Sequence, residues 1–182
     1  MKRFILRPGG QGILADWHAS EGENWQCLLG EESRGRFISS RSNATDLYRF
    51  RIPPDFPTRG SILRVAICSI AWGYNSRFNH ALFGGVVQEE DGPIVAYNLR
   101  AEEHRLLAGP ALFSNAWTIN PWTGVAWRFC EIARLQAGPS MVRGVGRCSA
   151  GPLVTRFVNE CYLEVEVEET VTLPVVEDED GR

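Results

Sequence analysis

The sequence predicts an all-β fold, an antiparallel β-sandwich, from three observations. Short apolar runs of strand length are punctuated throughout by Gly, Pro, Asn and Asp; the last long apolar segment alternates oily and charged residues; and one central run is apolar on both parities. A chain of 182 residues, 44% apolar, is enough for one substantial core and short for two. The expected organisation is one sandwich domain over residues 1–169 and an acidic tail or arm over 170–182.

The turn signals are GGQG at 9–12, PPDFP at 53–57, GYNS at 73–76, EEDGP at 89–93, AGP at 108–110, NPWTG at 120–124, AGPS at 137–140 and SAGP at 149–152. Between them lie the strand candidates 4–7, 25–29, 37–40, 46–52, 81–87, 94–99, 111–119 and 141–149. The run SILRVAICSIAW at 61–72 carries only Arg64 and serines among its apolar residues, which fits a strand buried on both faces. In the closing segment, Phe157, Asn159, Cys161, Leu163, Val165 and Val167 form one parity, while Val158, Glu160, Tyr162, Glu164, Glu166 and Glu168 fall on the other. A period of two with one oily side is what a half-buried antiparallel strand requires. One segment departs from the β pattern. After NPWTG, the spacing of Trp127, Cys130, Ala133 and Leu135 predicts a short helix over about 127–137, stopped by Gly138-Pro139 and laid over the open end of the sandwich.

Composition narrows the function. The longest apolar stretch, 62–72, falls well short of the roughly 20 residues a spanning helix needs, and the N-terminal stretch lacks the apolar region of a secretory signal. The expectation is therefore synthesis in a cytoplasm, with no membrane partner. The five cysteines, at 27, 68, 130, 148 and 161, show no metal-knuckle or C-x-x-C spacing, and His18, His80 and His104 are scattered. The cysteines are expected as small apolar residues of a core, and no metal or cofactor is expected.

The net charge of −3 conceals an asymmetry. Eight acids and one base lie in residues 164–182, which leaves 14 acids and 18 bases in residues 1–163. The bases are spread along the chain rather than gathered into a stripe, so direct nucleic-acid binding is not expected. Of the 19 bases, 18 are Arg and only Lys2 is Lys. Arginine suits protein interfaces, and a GC-rich genome produces the same ratio. Paired acids occur at Glu31-Glu32, Glu89-Glu90-Asp91 and Glu102-Glu103, each in a turn-rich stretch that reads as solvated surface. With no nucleophile–base order or phosphate loop beside them, the expectation is a protein that is not an enzyme.

Several pieces together resemble a group of tailed-phage virion proteins built on a β-sandwich of jelly-roll type. They are ADW at 15–17, NWQCL at 24–28, RFISS at 36–40, the step Asp46-Leu47-Tyr48, ILRVAI at 62–67, NPWTGVAWRFCEI at 120–132 and VNECYLEVEV at 158–167. The resemblance runs from about residue 5 to 167. It implies a jelly roll and a structural role in the particle, most simply decoration or cementing of the capsid. Two positions depart from the pattern. Trp122 stands where a small residue follows the Asn-Pro, and Arg128 stands where a Thr or Ser would cap the helix, a loss of about 1 kcal/mol. The stretch 73–110 does not align with the family.

The expected partners are a major capsid protein and further copies of this chain, as a dimer or trimer on the surface of a virion. The candidate interface residues are Trp122 and Pro121 in the turn, Arg34, Arg36 and Arg77 on the body, and Val175 and Val176 in the C-terminal arm. For Trp122 three readings stand side by side: an anchor in a protein contact, a stacking platform for a sugar, or a ring folded back onto its own sandwich. The sugar reading leads to an alternative function, a head–tail or tail-appendage module that binds host glycans. Of the six tryptophans, at least four are expected in the core.

Overall fold

In a computed structural model, described for residues 1–33, 35–41, 43–73, 81–89, 92–96, 110–143 and 155–168, the chain forms two antiparallel sheets packed face to face. The elements in order are β1 (Lys2–Leu6), β2 (Pro8–Ala15), β3 (His18–Ala19), 3-10 turns at Asn24–Leu28 and Gly30–Ser33, β4 (Ile38–Ser40), β5 (Ala44–Phe50) and β6 (Ser61–Gly73). There follow β7 (Ala81–Gln88), β8 (Val95–Ala96), β9 (Ala111–Trp117), α1 (Phe129–Arg134), β10 (Gln136–Arg143) and β11 (Arg156–Glu168). One sheet has the order β3-β4-β11-β6-β9, with β1 also paired to β11; the other has the order β2-β5-β10-β7-β8. From β4 onward the chain crosses between sheets at every connection except the β7–β8 hairpin.

The predicted central strand is β6, flanked by β11 and β9. Its inward side chains Val65 and Ile67 meet Leu163 and Val165 of β11 in a continuous core with Leu6, Tyr48, Val87 and Trp117. The sheets approach closely at Gly85, where a Cβ would strike Ile67; the Gly85 amide donates across the gap to Asn115 Oδ1 at 2.7 Å. A glycine fits there because a Cβ would overlap the Ile67 side chain.

The closing strand alternates as expected only from Cys161 onward. A bulge at Asn159, between the pairs Val158–Ala71 and Glu160–Ile70, adds one residue and reverses the phase. Val158 and Arg156 therefore turn inward, while Phe157, expected on the oily side, lies half-buried against Trp72. Glu160, Glu164 and Glu166 beyond the bulge are partly buried rather than bare, and Glu168 is exposed. Arg64 donates to Glu164 at 2.6 Å, Arg3 approaches Glu164 and Glu166 at 3.5 and 3.8 Å, and Arg7 pairs with Glu160.

Other expectations are corrected. Residues 25–29 are not a strand but a 3-10 turn, because the Gln26 amide bonds to the Glu23 carbonyl at 3.0 Å and the tight turn drops Cys27 and Leu28 together into the core. The GGQG segment is not a turn but part of β2, which crosses so near β5 that a Cβ at Gly12 would strike the Leu47 carbonyl and the Gln136 amide. The helix is six residues long, not eleven, and Gly138-Pro139 lies inside β10 rather than ending it. Because the helix begins only after Arg128, its inward residues are Phe129, Ile132 and Leu135, whereas Cys130 and Ala133 are exposed. Cys130 thus departs from the expected core thiols; Cys27, Cys68 and Cys161 are buried. Glu131 partly replaces the missing cap by accepting the Arg128 amide at 2.7 Å. Three tryptophans are buried, Trp17, Trp117 and Trp127, rather than four.

The arm at 170–182, most of 73–110 and the end of the 141–149 strand candidate lie outside the described residues. Among the described residues no helix is long and apolar enough to cross a membrane.

Candidate functional site

The NPWTG turn is a tightly bonded corner at one end of the sandwich. Asn120 is fully buried, and its Oδ1 accepts the amides of Trp122 at 2.9 Å and Thr123 at 3.3 Å. Its own amide donates to the Val125 carbonyl and its carbonyl accepts the Gly124 amide, at 2.8 and 2.9 Å. Gly124 has φ +72°, a left-handed conformation that a side chain would strain. Asn120 therefore holds the turn closed through backbone bonds at both flanks.

Trp122 is half-buried. Its ring meets Trp127 edge to face at 6.1 Å, and its indole N–H donates to the Pro93 carbonyl at 2.9 Å. Trp127 is a core plug whose Nε1 donates to the Trp117 carbonyl at 3.3 Å. Both indoles thus tie the turn to the sandwich: Trp122 clasps the 89–93 turn, and Pro121 beside it is half-buried too. The folded-back position of Trp122 leaves its polar handle spent internally.

What the turn exposes is its neighbourhood. Ile119 and Val125 flank it at 51% and 53% exposure, and Ile94, next to the carbonyl that Trp122 engages, is exposed at 41%. Leu63 is exposed at 37%. Leu63 and Ile119 each lie two residues beyond the last β6–β9 pair, Val65 with Trp117. Ile52 is exposed as well, in the 51–60 connection that reaches the same end; there Phe56 links Phe4 of β1 to Phe129 of α1 at 5.1 and 5.9 Å. Large apolar side chains are thus gathered where three connections converge. A grouping of that kind marks an interaction surface more readily than apolar residues scattered singly. Sequence reasoning found Trp122 and Pro121 but missed Ile94, Ile119 and Val125, because only the fold decides which isoleucines and valines stay outside.

Arg36 is not brought to this site. It precedes β4, which pairs with β11 at Val158, the opposite end of that strand from Glu168. Its guanidinium is bound to Glu21 at 3.1 Å. Arg34, Arg77, Val175 and Val176 lie outside the described residues.

A second arrangement joins several landmarks of the sequence. Asp46 is fully buried, accepting the Trp17 amide at 3.0 Å on Oδ1, and Asn24 Nδ2 at 2.6 Å and the Tyr48 hydroxyl at 2.5 Å on Oδ2. Asn24 also donates to the Trp17 carbonyl at 2.7 Å. The pieces ADW, NWQCL and Asp46-Leu47-Tyr48 therefore meet at one carboxylate, which staples the 16–24 connection to β5. Burial pushes the Asp46 carboxyl above its usual range against the lowering effect of these donors, and burial beside Asp46 raises Tyr48 further. With each carboxylate oxygen occupied by a structural donor, the group is an anchor of the fold.

The outer aromatic group also has little free face. Trp72 and Phe157 stack on each other at 5.3 Å and 17°, and Phe37 meets both edge-on. Among the described residues no three His, Cys, Asp or Glu side chains gather as a metal site. No family model, no curated protein and no solved structure matches this chain.

Proposed function

We propose that the protein is a non-catalytic structural component of a tailed-phage virion, fixed to the capsid surface as a decoration or cement protein that bridges neighbouring major capsid subunits. The observation that carries this reading is the apolar end around the Trp122 turn. Ile94, Ile119 and Val125 form a rim on a corner made rigid by Asn120, suited to docking on a preformed protein surface with little ordering cost.

The strand order supports the jelly-roll form of the sandwich. β4-β11-β6-β9 faces β5-β10-β7-β8, so the first and last strands of this set of eight are neighbours, the wiring of a double Greek key. The buried polar side chains support a scaffold rather than a reaction centre: Asp46 and Asn120 hold connections, and Gln136 Oε1 accepts the Ile13 amide at 2.9 Å. Partners are then the major capsid protein and further copies of this chain, since several modest contacts around a symmetry axis add through effective concentration. Each copy contributes one apolar end.

The test is a reconstruction of the particle. Density for this chain is expected on the outer capsid lattice, with residues 119–125 against a capsid subunit. Density confined to a neck or tail appendage would replace this reading with the glycan-binding one, and no density would remove both.

A further inference from the structure

The exposed rim is built from two segments that lie apart in the sequence. Ile119 and Val125 flank the NPWTG corner, which Asn120 closes from within through its side chain, its amide and its carbonyl. Ile94 belongs to the segment Gly92-Pro93-Ile94, between β7 and β8, and that segment has less to hold it. β8 is two residues long, stands last in its sheet, and pairs with β7 only through Val95 and Ala96. The Gly92 amide donates to the Glu89 carbonyl at 2.8 Å and the Gly92 carbonyl accepts Gln88 Nε2 at 2.7 Å, while Pro93 has no amide to give. Among the described residues, the hydrogen bond that joins the two segments is the one from Trp122 Nε1 to the Pro93 carbonyl, at 2.9 Å. The indole lies close along this segment: a Cβ at Gly92 would sit 3.6 Å from the same nitrogen.

The joint is also incompletely bonded. Asn120, on the Trp122 side, and Gln88, on the Gly92 side, are both buried, yet among the described residues Asn120 Nδ2 and Gln88 Oε1 have no hydrogen-bond partner. A buried polar atom without a partner carries a desolvation cost that exposure to water relieves. The clasped arrangement is therefore opposed at both flanks of the bond that maintains it. We propose that Trp122 is the positioning residue of the apolar surface: its indole N–H clasps Pro93 and fixes Ile94 in one rim with Ile119 and Val125. In the alternative, open state Ile94 is released while the Asn120 corner stays intact. One part of the rim is thus permanent and the other conditional, and a partner that needs both binds in proportion to the closed fraction. The clasp itself stands on the geometry; its meaning for docking on a capsid rests on the proposed function.

Trp122→Phe keeps an aromatic ring toward Trp127 and removes the N–H. Parent and variant are compared as isolated full-length proteins by hydrogen exchange at residues 94–96 and 122–125, with circular dichroism and thermal unfolding as controls of the fold, and then by co-sedimentation with purified capsids. In the variant, exchange at 94–96 is expected to rise about fivefold and exchange at 122–125 to stay within about twofold, while capsid binding falls about threefold. In the parent, the Trp122 indole proton is expected to exchange more slowly than that of free tryptophan; equal rates would overturn the proposal without recourse to any variant. Unchanged exchange at 94–96 in Trp122→Phe would overturn it too, because a role confined to ring packing survives in Phe. Equal acceleration of both segments would do the same, by showing that Trp122 holds its own turn rather than joining two. Capsid binding that is present and identical in parent and variant would remove the positioning role. A parent that does not bind capsids at all would remove the proposed function instead, and the exchange rates would still decide the clasp.

Discussion

At the scale of single residues, the buried carboxylate at position 46 is the most consequential polar group. Its oxygens accept from Trp17, Asn24 and Tyr48, so Asp46→Asn turns an amide N–H₂ toward donors and leaves at least one buried donor unpaired. The expected loss is about 1–3 kcal/mol by the cost of an unsatisfied buried group. The pH dependence follows from the direction of the shift. Burial raises the folded-state pKa above the unfolded value. Between the two values the folded chain therefore holds more protons than the unfolded chain. Stability falls as pH climbs through that window and levels off above it. Urea unfolding from pH 4 to 8 should show this decline in the parent and not in Asp46→Asn, so the gap between the two narrows as pH rises. Parallel curves would mean that Asp46 titrates alike in both states.

Elements show where the sequence carried the architecture and where packing overrode it. Alternation over 161–167 and the apolar run at 61–72 were legible because side-chain period and burial are the same physical fact in a sheet. The phase reversal at Asn159 was not, since a bulge depends on the partner strand β6. Gly138-Pro139 and the GGQG segment read locally as turns, yet both lie in strands; a Cβ at Gly138 would strike the Asp46 carbonyl, and one at Gly12 would meet Leu47 and Gln136. Glycine there answers close approach rather than chain reversal. Of the candidate site, the turn was readable from its Asn, Pro and Gly, and its apolar rim was not, because exposure of Ile94 and Ile119 is a tertiary property. The same logic gives a test in β7. Gly85→Ala drives a methyl into Ile67 and should cost about 1–3 kcal/mol by overpacking. Combining it with Ile67→Ala should cost less than the sum of the two single changes, as denaturation midpoints would register. Additive losses would mean that the sheets separate freely at that point.

At the scale of the whole molecule, the two ends of β11 differ in what they carry. One end carries the Trp122 corner, α1 and the start of β6; the other end of β11 carries β4 and the Arg36–Glu21 pair. The face of the six-stranded sheet between them is occupied by its own ion pairs, with Arg3 and Arg64 shared between Glu164 and Glu166. A partner approaching that face would have to dismantle contacts already made, whereas one approaching the Trp122 end covers Ile119 and Val125, which are exposed at present. Under the proposed function, binding to capsids should therefore respond to position rather than to charge. Ile119→Asp combined with Val125→Asp should weaken co-sedimentation with purified capsids at least tenfold, about 1.4 kcal/mol, while leaving the fold intact because both side chains already meet water. Arg36→Glu should leave binding within about twofold, and its half-exposed ion pair costs little to lose. The opposite ordering, with Arg36→Glu the damaging change, would move the contact to the β4 end and make the apolar rim a feature of folding alone.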